Sequence, residues 1–174
     1  MLDVIVAQSG GTIHMGNSTD AVRALNEDKA FHLVVFCAKE FGPPPQALND
    51  KLSRRHTRVY HAPLDDGELT RDEMFMASRA ANLVAAAFLK RKRVLVTCMQ
   101  GRNRSGLVVA IALDILSSEG GVAALNAVRE RRRRANGQAL ANPNFVKLLE
   151  SLPARSGGPR AIVLGTGPQR SLVL

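Results

Sequence analysis

The residues of this sequence that could do chemistry lie in ten consecutive positions, 97–106, which read TCMQGRNRSG. Cys98 supplies a thiol, which is a nucleophile when ionised, and Arg104 supplies a planar guanidinium that can bind two oxygens of a phosphate. An apolar segment of strand length precedes them, and an apolar segment of helix length follows. A turn between a strand and a helix directs several backbone N–H groups toward one point, where they bind an oxyanion. The pattern therefore predicts a loop that binds a phosphate and attacks its phosphorus atom.

Most positions of this loop have a predicted role. Cationic neighbours and a helix N-terminus favour ionisation of a thiol, so we expect Cys98 to be the nucleophile. Gly101 would allow a backbone conformation or a close approach that a side chain would block. We expect the phosphate to be bound by Met99, Gln100, Gly101, Arg102, Asn103 and Arg104. The alternative interpretation is a glycine turn before a helix, with a buried cysteine and solvated arginines, although chance seldom combines all of these features.

Strands and helices must position this loop, and the sequence predicts that they alternate. Short continuous apolar runs indicate buried strands, and apolar residues at intervals of three and four indicate helices. The predicted strands are 2–7, 10–16, 31–38, 57–64 and 94–97, and the predicted helices are 18–29, 70–92, 105–118, 120–134 and 142–152. This alternation predicts an α/β fold with a central, mainly parallel sheet flanked by helices. The loop would then follow the carboxyl end of a strand, where open sheets of this kind bind their ligands.

The helix predicted at 70–92 has the clearest signals for its start and its buried face. Thr70 and Glu73 have the spacing of a capping box. The residues recurring at intervals of three and four predict the face that packs on the sheet; they are Met74, Ala77, Ala81, Val84, Ala85 and Phe88. The helix predicted at 105–118 is apolar nearly all round, so we expect burial on most of its sides.

Length and composition indicate one domain followed by a tail. The chain has 174 residues, of which 45% are hydrophobic, and this is enough for one ordinary core. We assign residues 1–152 to the domain and residues 153–174, which are rich in Gly, Pro, Ser and Arg, to a basic tail. No apolar run is long enough to span a membrane, and the N-terminus lacks the features of a secretion signal. We therefore expect an intracellular, reducing location in which both cysteines are thiols.

The formal charge of +9 implies attraction to polyanions, without choosing among them. The most basic segment is RERRRR, from Arg129 to Arg134. It is interpreted either as a solvated helix end or as a contact site for an acidic partner, a phosphoinositide head group or RNA. The four histidines show no spacing that indicates a metal site.

The segment CMQGRNRSG at 98–106 resembles the phosphate-binding P-loop of the cysteine-dependent protein tyrosine phosphatases. Four other segments resemble the dual-specificity branch of that superfamily, and together the resemblance covers residues 2–152. These segments are IHMGNSTDA (13–21), VVFCAKE (34–40), HAPLDDGE (61–68) and ANPNFVKLLE (141–150). The resemblance implies a three-layer α/β sandwich, with a phosphatase-like catalytic domain at residues 1–152.

The resemblance also implies a mechanism in two steps that needs no metal and no cofactor. Cys98 matches the nucleophile, Arg104 matches the guanidinium that binds the phosphate, and Ser105 matches the hydroxyl that helps the thiolate leave. The family places its general acid on a loop upstream, which here favours Asp66 over Asp65, although Asp-Asp-Gly is also a good turn sequence. The chain departs from the family at Thr97, because a histidine that helps to order the loop usually precedes the nucleophile.

These features predict a phosphomonoester hydrolase that forms a cysteinyl-phosphate and acts on phosphorylated proteins, with phosphotyrosine as the default and phosphoserine or phosphothreonine as further substrates. One alternative is an RNA 5′-triphosphatase, which this chain resembles at Asn103 and in its basic surface, but such enzymes typically lack the acid. A phosphoinositide phosphatase and a module that binds phosphate without hydrolysing it are further alternatives. Cys37 is expected to be a packing residue, and a regulatory disulfide with Cys98 is the alternative.

Overall fold

The computed structural model describes residues 2–8, 10–27, 30–41, 46–134 and 138–156, and within these ranges five strands form one sheet. The strands are β1 (Asp3–Gln8), β2 (Gly11–Asn17), β3 (Leu33–Ala38), β4 (Arg58–Leu64) and β5 (Arg93–Cys98). Their order across the sheet is β1-β2-β5-β3-β4. The edge strand β1 pairs with β2 in antiparallel fashion, and the other three pairings are parallel. The predicted mainly parallel sheet is therefore confirmed.

Helices cover both faces of this sheet. They are α1 (Ser18–Asn26), α2 (Gln46–Arg54), α3 (Arg71–Leu89), α4 (Arg104–Ser117), α5 (Gly121–Arg134) and α6 (Pro143–Glu150). Successive residues of a strand point to opposite faces. On β3, Val34 packs with α1 and α2, whereas Val35 packs in the larger core with α3, α4, α5 and α6. The result is the three-layer α/β sandwich that the sequence predicted.

The central position of β5 explains why its sequence is apolar without alternation. It lies between β2 and β3, and its residues from Val94 to Cys98 are all buried. A strand covered on both faces reads as a continuous hydrophobic run. The helix that follows, α4, is buried along most of its length, as its composition predicted. The turn between β5 and α4 is therefore fixed at both ends in the core.

Four arginines in the last two turns of α5 bind other residues of the same chain. Arg129 donates to the carbonyl of Leu140 at 2.7 Å, and Arg132 forms a buried ion pair with Asp3. Arg133 and Arg134 both pair with Glu130, one turn earlier on the same helix. These contacts occupy much of the basic run, so its charge is partly neutralised before any partner approaches.

The C-terminal end of the described chain packs on α4. Arg155 pairs with the carboxylate of Asp114 at 2.7 Å, and its backbone N–H donates to the carbonyl of Ser118 at 2.9 Å. The rest of the predicted tail, residues 157–174, lies outside the described residues. Among the residues placed by the structure, no helix is both long enough and apolar enough to cross a membrane.

Candidate active site

The turn between β5 and α4, residues 98–104, is the predicted phosphate loop, and its shape depends on Gly101. This glycine has a φ of +64°, in the left-handed region that residues with a side chain rarely adopt. A Cβ atom there would lie 2.4 Å from the carbonyl carbon of Gly16 and 2.5 Å from the backbone nitrogen of Asn17. The phosphate loop therefore packs directly on the end of β2, which is the close approach that the sequence predicted.

Cys98 and Ser105 meet at the base of the phosphate loop. The sulfur of Cys98 lies 3.2 Å from the hydroxyl oxygen of Ser105. Cys98 is 2% exposed and Ser105 is fully buried. A hydroxyl at this distance can donate a hydrogen bond to a thiolate and so stabilise the sulfur when it carries charge.

Thr97 contacts the backbone and makes no hydrogen bond to the sulfur in the described structure. Its hydroxyl donates to the carbonyl of Gly16 at 3.1 Å, which joins β5 to β2 beside the strand pairing. Thr97 thus joins the start of the phosphate loop to the neighbouring strand.

The guanidinium of Arg104 is buried and is held by a carboxylate that the sequence analysis did not predict. The residue is 3% exposed, and its Nη1 donates to Glu40 and, at 3.4 Å, to the carbonyl of Leu64. Burial alone would lower the pKa of Arg104, but the hydrogen bond to Glu40 and the nearby Cys98 and Asp66 raise it above its ordinary value. The hydrogen bond from Arg104 in turn lowers the pKa of Glu40. Both groups are therefore charged across the neutral pH range.

The two predicted acid candidates follow β4 and have different surroundings. Asp66 is exposed and lies close enough to Arg104 to interact with it electrostatically. The carboxylate of Asp65 lies 3.9 Å from the ammonium of Lys39, and its backbone N–H donates to Glu73 at 2.9 Å. The charge of Asp66 thus contributes to the electrostatic environment of Arg104, whereas the carboxylate of Asp65 lies beside Lys39. We call residues 65–69 the acid loop.

Asn103 holds the phosphate loop against the segment that precedes α6. Its side-chain oxygen accepts hydrogen bonds from the backbone of Ala141 at 2.9 Å and of Asn142 at 3.3 Å. The carbonyl of Arg102 also accepts from the backbone of Leu140 at 3.3 Å. The oxygen of the Asn103 side chain is thus occupied, and its amide nitrogen and its backbone N–H are the groups that could donate to a phosphate.

The other predicted phosphate ligands lie at the surface of the loop. Met99, Gln100 and Arg102 are exposed. The carbonyl of Met99 accepts from the backbone of Ser18, at the start of α1, at 3.4 Å. Contact between these three residues and a phosphate therefore stays a prediction.

Cys37 is the neighbour of Cys98 on the adjacent strand. The parallel register pairs Phe36 with Thr97, so the next step along both strands brings Cys37 opposite Cys98. Both cysteines are free thiols. Burial, with a smaller contribution from Cys98, raises the pKa of the Cys37 thiol well above its ordinary value. Cys37 is therefore a neutral packing residue at neutral pH.

Two residues that contact the site, Glu40 and Asn142, were not among the site residues predicted from the sequence. Each lies in a segment that resembles the phosphatases, VVFCAKE and ANPNFVKLLE, but neither carries a signal of its own. Glu40 lies in a 3₁₀ turn after β3, and Asn142 is the residue that caps α6. No group of three or more His, Cys, Asp or Glu side chains in the described ranges could hold a metal ion.

Comparison with known proteins gives a clear result for structure only. No protein-family model and no curated protein sequence matches the chain. Tk-PTP in its active form has a TM-score of 0.64 at 22% identity, covering 86% of this chain and 95% of its own. Human DUSP28 has a TM-score of 0.64 at 20% identity, covering 86% and 90% respectively.

A third similar structure is PTPMT1 in complex with PI(5)P, with a TM-score of 0.65 at 15% identity, covering 86% of this chain and 92% of its own. At these identities the likeness defines the fold. The chain therefore shares its fold with these phosphatase structures, as the resemblance of the sequence implied.

Proposed function

We propose that this protein is a phosphomonoester hydrolase that dephosphorylates phosphotyrosine, and also phosphoserine and phosphothreonine, through a cysteinyl-phosphate intermediate. The observation that carries the proposal is that Cys98, Arg104 and Ser105 meet at one turn, with Asp66 close enough to Arg104 to interact with its charge. The loop offers backbone N–H groups at the start of α4, which together with Arg104 would bind the three non-bridging oxygens of a phosphate.

In the first step, the thiolate of Cys98 attacks phosphorus. The S–P bond forms as the P–O bond to the substrate breaks, and Asp66 gives its proton to the departing oxygen. The buried Arg104 and the backbone N–H groups stabilise the charge on the transferring phosphoryl group, because they are fixed before the substrate arrives.

In the second step, water attacks the cysteinyl-phosphate and gives a proton to the carboxylate of Asp66. The P–O bond to water forms as the S–P bond breaks, which releases inorganic phosphate and regenerates the thiolate. The Ser105 hydroxyl, at 3.2 Å from the sulfur, stabilises the departing thiolate by a hydrogen bond. Because the nucleophile is a thiolate, the activity requires reducing conditions.

The alternatives differ in whether they need Asp66. An RNA 5′-triphosphate carries a leaving group that needs no protonation, whereas a tyrosine or serine oxygen does need a proton. The position of Asp66 in the field of Arg104 therefore favours phosphoester hydrolysis. Asn103, the residue that suggested RNA triphosphatase activity, has a sufficient role in binding the segment before α6.

A substrate panel tests the proposal. Wild type and Cys98→Ser are compared on phosphotyrosine and phosphothreonine peptides, a phosphoinositide and 5′-triphosphorylated RNA. We expect the wild type to hydrolyse phosphopeptides and the serine variant to lose at least about 10⁴-fold in kcat while it still binds them. Turnover of RNA alone or of phosphoinositide alone would reassign the substrate. Binding without turnover by the wild type would make the protein a phosphate-binding module.

A further inference from the structure

The side chain of Asn142 connects the two halves of the site. Its amide nitrogen donates to the carbonyls of Asp66 and Gly67, both at 3.0 Å. Its amide oxygen accepts from the backbone N–H of Asn144 at 2.8 Å, which caps α6. The residue is only 8% exposed. A buried primary amide with both donor hydrogens and its oxygen engaged is fully satisfied, and its position is therefore fixed.

The backbone around Asn142 is bound to the phosphate loop. The N–H groups of Ala141 and Asn142 donate to the side chain of Asn103, and that of Leu140 donates to the carbonyl of Arg102. Asn103 and Arg102 immediately precede Arg104 in the chain. The segment 140–142 therefore touches the phosphate loop through its backbone and the acid loop through a single side chain.

The acid loop has few other attachments. Asp65, Asp66 and Glu68 are exposed, and the backbone of Asp65 is held by Glu73. The hydrogen bonds from Asn142 hold the next part of the loop, at Asp66 itself and at Gly67. Asn142 thus links the two loops directly. Its side chain binds the backbone of Asp66 and Gly67, and its backbone N–H binds the side chain of Asn103.

We propose that Asn142 is a positioning residue that sets the distance of Asp66 from the phosphate held over Cys98. This inference rests on the proposed function, because it assigns Asn142 to the acid of that reaction. Holding an acid at a fixed distance from the leaving oxygen matters because proton transfer requires hydrogen-bond reach. The simpler role for Asn142 is to cap α6, and the test must separate the two.

The substitution Asn142→Asp separates them. Aspartate is as good an N-cap as asparagine, so the bond to Asn144 is kept. Aspartate has no N–H to donate, and its carboxylate would face the carbonyls of Asp66 and Gly67, which displaces the acid loop. The matched control is Asn144→Asp, which adds the same charge two residues further on, at an exposed position. Asn142→Ser, which keeps a capping hydroxyl but cannot reach both carbonyls, serves as a second variant if Asn142→Asp does not fold.

The kinetic readout is the dependence of rate on the leaving group. Aryl phosphates from 4-nitrophenyl to phenyl are compared, because a good leaving group needs little protonation and a poor one needs much. We expect Asn142→Asp to lose about 10- to 100-fold in kcat on phenyl phosphate and a phosphotyrosine peptide, because a displaced acid keeps part of the roughly 10²- to 10⁴-fold that general acid catalysis contributes, and less than about threefold on 4-nitrophenyl phosphate. KM should change little, and Asn144→Asp should behave as the wild type.

A double variant and hydrogen exchange complete the test. Adding Asn142→Asp to Asp66→Asn should cause no further loss in kcat on phenyl phosphate, because Asn142 would affect the rate only through the proton that Asp66 donates. In Asn142→Asp the peptide covering residues 64–69 should exchange its amide hydrogens about tenfold faster or more than in the wild type, whether or not the enzyme is active. An equal loss on good and poor leaving groups, an additive double variant, or unchanged exchange would each overturn the inference.

The failure of this inference can be told apart from the failure of the proposed function. If Asp66→Asn shows the steep dependence on leaving group and Asn142→Asp does not, only the role of Asn142 is overturned. If Asp66→Asn itself leaves the rate on phenyl phosphate unchanged, or if the wild type hydrolyses no aryl phosphate, the acid of the proposed function is wrong and the inference about Asn142 is overturned with it.

Discussion

The phosphate loop and the acid loop face each other in the site but are held in place by different means. The phosphate loop connects the central strand to a buried helix, and its residues Cys98, Gly101 and Arg104 are all buried. The acid loop lies at the surface after β4, at an edge of the sheet, and both of its aspartates are exposed. The first loop is buried between β5 and α4 and packs on β2, whereas the second lies at the surface and is held by the side chains of Glu73 and Asn142.

This difference has consequences for function. A site that binds charge in a transition state gains from rigidity, because dipoles that are already oriented need no reorganisation during the reaction. In the proposed reaction the acid loop would meet leaving groups of different shape, and exposed loops held by few contacts open at low free-energy cost. We therefore expect substitutions in the phosphate loop to affect folding and chemistry together, and substitutions in the acid loop to affect chemistry with little loss of stability.

Replacing one glycine in each loop gives the largest contrast. Gly101→Ala would place a Cβ 2.4 Å from the backbone of Gly16 at a positive φ, so we expect a loss of about 3 kcal/mol in the free energy of unfolding, from strain and overpacking combined. A shift of the loop by about 1 Å would also cost roughly 10²-fold in kcat. Denaturant unfolding and turnover of 4-nitrophenyl phosphate measure the two effects.

Gly67→Ala is the matched control in the acid loop. A Cβ there would have as its nearest neighbour the carboxylate oxygen of Asp65, at 3.4 Å, an ordinary contact. We expect a change in the free energy of unfolding of less than about 0.5 kcal/mol, as for most surface substitutions. A loss of stability equal to that of Gly101→Ala would contradict the contrast between the two loops.

The second prediction concerns Ser105, which contacts the sulfur from the first turn of α4. In Ser105→Ala the thiolate would leave without its hydrogen bond at 3.2 Å, so we expect the second step to slow by about 10- to 100-fold, as for the loss of a hydrogen bond to a charged group. Rapid mixing with 4-nitrophenyl phosphate should then show a burst of one nitrophenol per enzyme. Ser117→Ala, at the other end of α4, is the control and should show no burst. A slower first step with no burst would assign Ser105 to formation of the intermediate.

Glu40 provides the third prediction, because it reaches the rigid phosphate loop from a surface turn. Its carboxylate accepts from Nη1 of Arg104, and its side chain is half exposed. In Glu40→Gln the guanidinium would lose its charged partner and its fixed orientation, so we expect kcat/KM to fall by about tenfold, mostly through KM. Glu40→Asp should recover part of the loss. Lys39→Gln, one residue away and in contact with Asp65 and Glu73, is a control that should leave KM unchanged. A lower KM in Glu40→Gln would mean that Glu40 competes with the phosphate.

The sequence predicted the turn between β5 and α4 well because the signals for it are local. Cys98, Gly101 and Arg104 lie within seven positions, and the apolar runs on either side show that the flanking strand and helix are buried. The sequence also indicated that Gly101 allows a backbone conformation or a close approach, but the contact with the end of β2 is known only from the structure. The capping box of Thr70 and Glu73 was predicted for the same reason, since its partners are three residues apart.

The side chains that reach the two loops from distant parts of the chain could not be predicted, because no local pattern marks such a contact. Asn142 lies 76 positions from Asp66, and Glu40 lies 64 from Arg104. Periodicity also failed at the first turn of α3, where Met74 was expected in the core but is 40% exposed. A helical pattern shows which side of a helix is apolar, but not where along its length the sheet stops covering it.

The smallest predicted effect concerns Glu73, which attaches the acid loop to α3. Its carboxylate accepts from the backbone and hydroxyl of Thr70 and from the backbone of Asp65. The backbone hydrogen bond from Thr70, with smaller contributions from the Thr70 hydroxyl, Asp65 and Lys39, lowers the pKa of Glu73 below its usual range, although burial opposes this. The ionised form is thus favoured by folding, and it contributes stability above the pKa of an unfolded glutamate, about 4.3.

That stability should disappear as the pH falls through the lowered pKa of the folded state. We expect Glu73→Gln to be less stable than the wild type by about 1 kcal/mol at pH 7, as for the loss of a cap, and the two proteins to converge as the solution is acidified below about pH 4.3. Denaturant unfolding at several pH values measures the difference, with Glu68→Gln, an exposed residue of the same loop, as the control. A difference between Glu73→Gln and the wild type that stays constant with pH would mean that the side chain acts through packing and shape. In that case, the acid loop would not depend on a charged side chain at this end.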